Sequence, residues 1–347
     1  MSQRLMKGNE AAVFGALLGG SSHYFGYPIT PASEIAHAAA VYYPLCGRQF
    51  LQAECEVASV NMLYGAAAAG ARAMTGTSGP GLSLMAEGIS YIAAGELPCV
   101  IIDVQRCGPG LGNIWPEQSD YHCTVKGGGH GNYKVIVIAP GSVQEMCDFA
   151  YEAFDLAERY RSPVIMLSDA CVGQMMEPVT LPQKPLPNPR KGWAVCGDAA
   201  SRENLVTTIF MNPDVMAQVN HSLQQKYRKI EGEYVRFEEC ETADADTVFV
   251  AFGISARLCR TAVQQLRRKG VRVGVLRPQT LWPFPTARLA ALAGSVRQMV
   301  SVELSNGQMI DDIRLAVNGT VPVRLLNWMG GIVPSSEEIV ERFEKEC

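Results

Sequence analysis

Two glutamates in the segment QAECEVASVNMLYGAAAAG (52–70) are of a type and placement that can hold a proton against a bound ligand. Glu54 and Glu56 stand where a short strand pattern gives way to a helical one. The helix dipole favours an acid in a first turn whether or not it does chemistry. The same position also fixes a carboxylate at a strand end, aimed at whatever binds there. Helical spacing separates the two. From Glu56 the i+4 and i+7 positions are Val60 and Leu63, an apolar face; from Glu54 they are Ala58 and Asn61, a mixed one. Glu56 is the member expected to be buried.

Three more segments carry polar groups next to strand ends. TSGPG (77–81) lies between a strand and a helix, where main-chain N–H groups can face an anion or a polar ring. Read alone, it is first of all a tight turn that needs glycine. DVQRCGPG (103–110) sets Arg106 just past a buried strand, either as a two-pronged clamp for a carboxylate or as a rim ion pair with Glu87 or Glu117. YPITP (27–31) presents the Thr30 hydroxyl from a turn that two prolines stiffen. Pro28 belongs to the same turn.

Other chemistries fail on spacing. GPGLGN (108–113) and GGGHGN (127–132) do not complete the G-x-G-x-x-G fingerprint between a strand and a helix, and no G-x-x-x-x-G-K-[ST] occurs. The eleven cysteines include no C-x-x-C, and the five histidines no H-x-x-x-H, so no metal or iron–sulfur cluster is expected on this chain alone. Scattered cysteines in odd number read as reduced thiols of a cytoplasmic protein.

The 347 residues suit two domains. Thirty basic against 34 acidic residues give a net charge of −4, which offers nucleic acid no footprint. Charged residues make up 18% against 48% hydrophobic ones, a balance that points to large subunit interfaces. No apolar run reaches membrane-spanning length. Arg4 and Lys7 before AAVFGALLGG imitate a secretion signal, but Glu10 interrupts the pattern and no A-x-A site follows.

Alternating strand and helix patterns must place these groups. Helices are predicted over 9–19 (with Asn9 as its cap), 33–41, 55–70, 82–94 and 143–161. Strands are predicted over 23–26, 49–53, 72–76, 99–104, 135–138 and 164–167, the fourth broken only by Asp103. A glycine-rich stretch, 106–131, shows no periodicity. Pro182, Pro185, Pro187 and Pro189 mark a linker, followed by a polar connection helical over 214–230. A second set follows: strands over 247–252, 271–276, 298–302 and 323–326, and helices over 256–269, 285–292, 309–317 and 336–344. The expected fold is α/β: a doubly wound, mostly parallel sheet over 1–180, a connection over 181–243, and a smaller α/β domain over 244–347. Ligands of such sheets bind beyond the strand C-termini.

YPITP, the glutamate junction, TSGPG, the Arg106 strand end and KGGGHG occur in that order. The linked set resembles the alpha subunit of 2-oxoacid:ferredoxin oxidoreductases over essentially the whole chain. GNEAAVFGAL, FGYPITP, FLQAECEVASVNMLYGAAAAGA, GISYIAAGELPCVI, GPGLGN, KGGGHGNYKVIVIAP and GQMMEPV look most like the branched-chain, 2-oxoisovalerate group. TVFVAFGISA, LRPQTLWPFP and VELSNGQM are similar to that family's transketolase-C-terminal-like domain. The resemblance implies a thiamine-pyrimidine-binding fold and oxidative decarboxylation, with thiamine diphosphate as the electron sink. By the same resemblance Glu56 pairs with the pyrimidine N1′, on a helix whose small pair is Gly65 and Ala66. Thr30 and Arg106 contact the substrate carboxylate or carbonyl, and Pro28, Thr77, Ser78 and Gly79 line the pyrimidine pocket.

The family's GDG…N segment for Mg²⁺ and the diphosphate is missing; the nearest string is GDA (197–199). The implied partners are a thiamine-diphosphate-binding beta subunit with the Mg²⁺, a gamma subunit, a ferredoxin-like delta subunit with iron–sulfur clusters, ferredoxin, and coenzyme A as acyl acceptor. A 2-oxoglutarate-specific subunit would need a second cation, for which Lys126 or His122 is available. A non-catalytic scaffold subunit and a stand-alone dehydrogenase are rival readings of the same chain, and the missing fingerprints disfavour the dehydrogenase.

Overall fold

The segments VIIDVQ (100–105) and VIMLSD (164–169) are buried at every position, so they need cover on both faces, the condition for a parallel sheet. The computed structural model describes residues 3–347 and meets that condition. Its first half runs β1 (Arg4–Lys7), α1 (Gly8–Leu18), β2 (His23–Gly26), α2 (Ser33–Leu45), β3 (Gln49–Gln52), α3 (Glu56–Ala68), β4 (Ala73–Thr77), α4 (Gly79–Ala94), β5 (Val100–Gln105), α5 (Tyr121–Val125), β6 (Ile136–Ile138), α6 (Val143–Tyr160), β7 (Val164–Asp169), α7 (Ala170–Gln174) and β8 (Met176–Val179). Helix α8 (Pro213–Glu233) precedes β9 (Phe237–Cys240), β10 (Thr247–Val250), α9 (Gly253–Arg268), β11 (Val273–Pro278) and β12 (Thr280–Trp282). The chain ends with α10 (Thr286–Ala293), β13 (Gln298–Glu303), α11 (Met309–Val317), β14 (Val323–Asn327) and α12 (Ser336–Glu346).

A seven-stranded sheet has the order β12-β6-β7-β5-β4-β2-β3, parallel from β6 to β3. A five-stranded sheet has the order β14-β13-β10-β11-β9, parallel except at β9. The α/β class and the dominance of parallel pairing agree with the sequence expectation. From β2 the chain moves outward to β3, then crosses back past β2 to β4 and β5. The order reverses between β2 and β4, and that reversal opens a crevice beyond the strand C-termini. The C-terminal ends of β2, β3, β4 and β5 lead into Thr30, into Glu56 at the start of α3, into Thr77–Gly79 at the β4–α4 junction, and into Arg106 respectively.

Several local expectations are corrected. Asn9 does not cap α1: Lys7 takes the cap position, and Asn9 Nδ2 donates to the Pro31 carbonyl at 3.0 Å and to Glu34 at 3.1 Å, tying α1 to the turn before α2. Gly79, Pro80 and Gly81 form the first turn of α4, with proline accepted there because its missing N–H has no helical partner. The stretch 106–131 contains α5. Strands β1, β8, β9 and β12 went unforeseen because they pair antiparallel, outside the alternating strand–helix pattern of the parallel sheets. Of these, β12 crosses over to pair with β6, so the later part of the chain closes the edge of the first sheet.

The connection after β5 is fastened to the second sheet. Gln118 Nε2 donates to the Phe252 carbonyl at 2.9 Å, and its Oε1 accepts from Ser255 Oγ at 2.8 Å. Gln308 Nε2 donates to the Ser119 carbonyl at 2.8 Å, while its Oε1 accepts from the His122 N–H, also at 2.8 Å. Behind Gln308, the buried Glu303 accepts five hydrogen bonds, from Ser301, Ser305 and the N–H groups of Gln308, Met309 and Ile310. The last three stand at the start of α11, where donors otherwise lack partners. Glu303→Ala is expected to lower unfolding free energy by about 3 kcal/mol, because several buried donors lose a charged acceptor together. Urea unfolding checks this; a loss under about 1 kcal/mol would mean water replaces the carboxylate.

Candidate active site

Helix α3 begins at Glu56, with Cys55 as its cap and Glu54 outside it. Glu56 is 5% exposed, above the buried Val60 and Leu63, whereas Glu54 is exposed. The helical spacing of the apolar residues accounts for this difference. Helix α4 packs closely on α3, and two glycines permit it. A Cβ on Gly88 would lie 2.5 Å from Val60. A Cβ on Gly81 would lie 2.3 Å from Thr77 Oγ1 and 2.7 Å from Glu56 Oε1. Glu56, Thr77 and the opening of α4 therefore meet along one seam. The Thr75, Thr77 and Ser78 hydroxyls are buried there without a hydrogen-bond partner. Such groups cost free energy unless something supplies the missing bonds.

Gly79, two residues earlier, faces the other way, toward Asp120 and the stem of Arg106. Here a cavity of about 560 Å³ opens. Arg106, Gly79, Asp120 and Glu117 line it from the first half of the chain; Asn306, Gln308 and Met329 line it from the second. The part of the second sheet in this wall was not anticipated, although SNGQM was visible in the sequence.

Arg106 is 8% exposed. The alternative reading, a rim ion pair with Glu87 or Glu117, does not hold in the structure. Arg106 Nη1 donates to the Thr30 carbonyl and Nη2 to the Leu111 carbonyl, each at 2.9 Å, and Nε has no partner. Glu87 instead accepts from Tyr91, one turn along α4, and Glu117 is engaged by other donors. Thr30 is thus brought to Arg106 through its main chain, with its side chain exposed. Pro28 is half-buried in the same turn and is not part of the cavity wall.

Neither cation considered for a second carboxylate reaches this cavity. Lys126 pairs with Asp312, and His122 Nε2 lies 3.1 Å from the Gln308 carbonyl and 3.6 Å from Asp311. Among the described residues Arg106 is the one cationic side chain in the cavity wall.

Sequence reasoning missed Asp103 and Asp120. Asp103 is fully buried on β5, its carboxyl beside that of Asp120, and neither Asp103 oxygen has a hydrogen-bond partner. Burial pushes both acids up, Asp103 well above the usual carboxylate range and Asp120 to about 6. The available signal was a lone aspartate in an otherwise apolar strand.

Comparison with known proteins agrees with the fold. A family described as pyruvate flavodoxin/ferredoxin oxidoreductase, thiamine diphosphate-binding, matches residues 14–237. Another, pyruvate:ferredoxin oxidoreductase core domain II, matches residues 245–339. The chain is 53% identical over 346 residues to ketoisovalerate oxidoreductase subunit VorB of Methanothermobacter thermautotrophicus, covering 99% of this chain and 98% of the relative. It is 38% identical over 355 residues to 2-oxoglutarate synthase subunit KorA of Archaeoglobus fulgidus, with full coverage of both. A solved 2-oxoglutarate:ferredoxin oxidoreductase from Magnetococcus marinus, with 2-oxoglutarate, coenzyme A and succinyl-CoA bound, superposes with a TM-score of 0.90 at 30% identity. That match covers 99% of this chain and 65% of the other.

Proposed function

The chain belongs to the thiamine-diphosphate-binding pyruvate flavodoxin/ferredoxin oxidoreductase family and is an oxidoreductase subunit, and from that premise we propose that it is the alpha subunit of an enzyme converting 2-oxoisovalerate, coenzyme A and oxidised ferredoxin to the branched acyl-CoA, carbon dioxide and reduced ferredoxin. The observation that carries the choice of substrate is the single cation in the cavity wall, which suits a 2-oxoacid with one carboxylate and an apolar tail. A 2-oxoglutarate site would need a second cation there. The test is anaerobic viologen reduction by the complex, co-expressed with its partner subunits, over a panel of 2-oxoacids. 2-Oxoisovalerate should show the highest kcat/KM; a preference for 2-oxoglutarate would overturn the reading.

The seam at Glu56 fits the pyrimidine ring of thiamine diphosphate. It offers a nearly buried carboxylate and three hydroxyls without partners, groups that can bond ring nitrogens and an amino group. When bound, the cofactor supplies the electron sink that decarboxylation requires. Glu56 holds a proton at the ring nitrogen, Thr77 and Ser78 orient the ring beside the Gly79–Gly81 turn, and Arg106 fixes the substrate carboxylate. Thr30 keeps Arg106 in place through its carbonyl and offers its hydroxyl to the substrate. Pro28 stiffens that turn.

We assign the diphosphate, the Mg²⁺ and the iron–sulfur clusters to beta, gamma and delta partners in the cytoplasm, because neither GDG…N nor C-x-x-C occurs in this sequence. Among the described residues, no helix is long and apolar enough to cross a membrane. The isolated chain should accordingly bind thiamine diphosphate weakly or not at all in calorimetry with Mg²⁺ present. Tight stoichiometric binding would refute the divided site.

A further inference from the structure

Arg106 shares its cavity with two acids and pairs with neither, which is unusual for a buried guanidinium. Glu117 is held elsewhere. Its Oε2 accepts from the Gly108 N–H at 3.1 Å and from Ser119 Oγ at 2.8 Å, and its Oε1 from the Gly330 N–H at 2.9 Å. Asp120 is turned to Asp103. Both Asp103 oxygens and Asp120 Oδ2 are buried without a donor in bonding geometry. Two carboxylates that face each other through buried oxygens, one of them fully buried, resist ionising together, whereas one proton between them satisfies both.

We propose that Asp103 and Asp120 hold one proton between them at neutral pH, and that this pairing keeps Asp120 off Arg106 so that the guanidinium stays open to the carboxylate of the 2-oxoacid. The second half rests on the reading of Arg106 as substrate anchor. Both aspartates are positioning residues, acting through Arg106. The groups that face them are Arg106 at the end of β5, Glu117 on the connection, Cys123 on α5, and the Gly79 main chain on α4. Arg106 favours the charged form of Asp120 and Glu117 opposes it, while burial outweighs either. The Cys123 thiol is itself pushed up to about 11, first by burial and then by the two acids, so it stays neutral throughout.

Below about pH 6 the pair carries two protons and no charge; above it, one proton and one negative charge. That charge competes with the anionic substrate for Arg106. The KM for the 2-oxoacid should therefore rise about fivefold as pH increases through 6, the scale of one partly screened charge a few ångströms away.

Infrared difference spectroscopy of the full chain tests the proton directly. A protonated-carboxyl band should persist at pH 7 and disappear in both Asp103→Asn and Asp120→Asn, because an amide supplies the hydrogen bond that the shared proton made. Absence of the band from the unaltered chain, or its survival in both variants, overturns the proposal. In the assembled enzyme the rise in KM near pH 6 should be lost in Asp120→Asn; its retention overturns the link to Arg106. If the band behaves as expected but Arg106→Ala leaves KM unchanged, the anchor reading fails and the shared proton stands.

Discussion

Glu56→Gln in the assembled enzyme is expected to lose roughly two orders of magnitude or more of turnover while the chain still folds and joins its partners, the usual scale for removing an acid–base group. The amide has the shape of the carboxylate, so it fits between Gly81 and Thr77, where a bulkier group would not. It cannot exchange a proton with a ring nitrogen. Glu54→Gln is the internal control. Its side chain is exposed and precedes the cap of α3, so its effect should stay near a helix-dipole contribution of about 0.3–1 kcal/mol in stability, with turnover close to normal. Viologen reduction and thermal melting of the two variants check the pair of expectations. A dead Glu54→Gln beside an active Glu56→Gln would reverse the assignment.

The choice between those glutamates was legible because helical periodicity is local: Val60 and Leu63 identify the buried face without knowledge of what covers it. The buried strands β4, β5 and β7 were legible for a similar reason, as short apolar runs bounded by glycine or polar turns. Arg106 was only half legible. Its place after β5 followed from the pattern, but its partners are carbonyls of Thr30 and Leu111, and main-chain acceptors leave no mark on residue type. Asp103 and Asp120 lie seventeen positions apart and meet only because the connection after β5 folds back against α4. The share of the second sheet in the cavity was hidden for the same reason. Gln308 and Asn306 reach the wall because Glu303 gathers the start of α11 and Gln118 pulls the connection onto Phe252 and Ser255. Contacts between distant segments, rather than any weakness of local pattern, separate what was read from what was not.

Arg106→Ala should reduce kcat/KM by about 2–5 kcal/mol, roughly thirtyfold or more, chiefly through KM. A buried guanidinium with an unpartnered Nε and no carboxylate mate has bonding capacity left for a substrate carboxylate. Truncation has a second effect, because Arg106 also holds the Thr30 and Leu111 carbonyls and its loss loosens both turns. Arg106→Lys separates the two. Lysine keeps the charge but loses the planar fork, so it cannot bond both carbonyls and a carboxylate at once. If Arg106 anchors substrate, Lys should restore part of KM, whereas a residue that only braces the turns would show its loss in kcat and in the melting temperature, with KM unmoved. A fall in kcat/KM of less than about fivefold in Arg106→Ala, under about 1 kcal/mol, would show that Arg106 does not anchor the substrate.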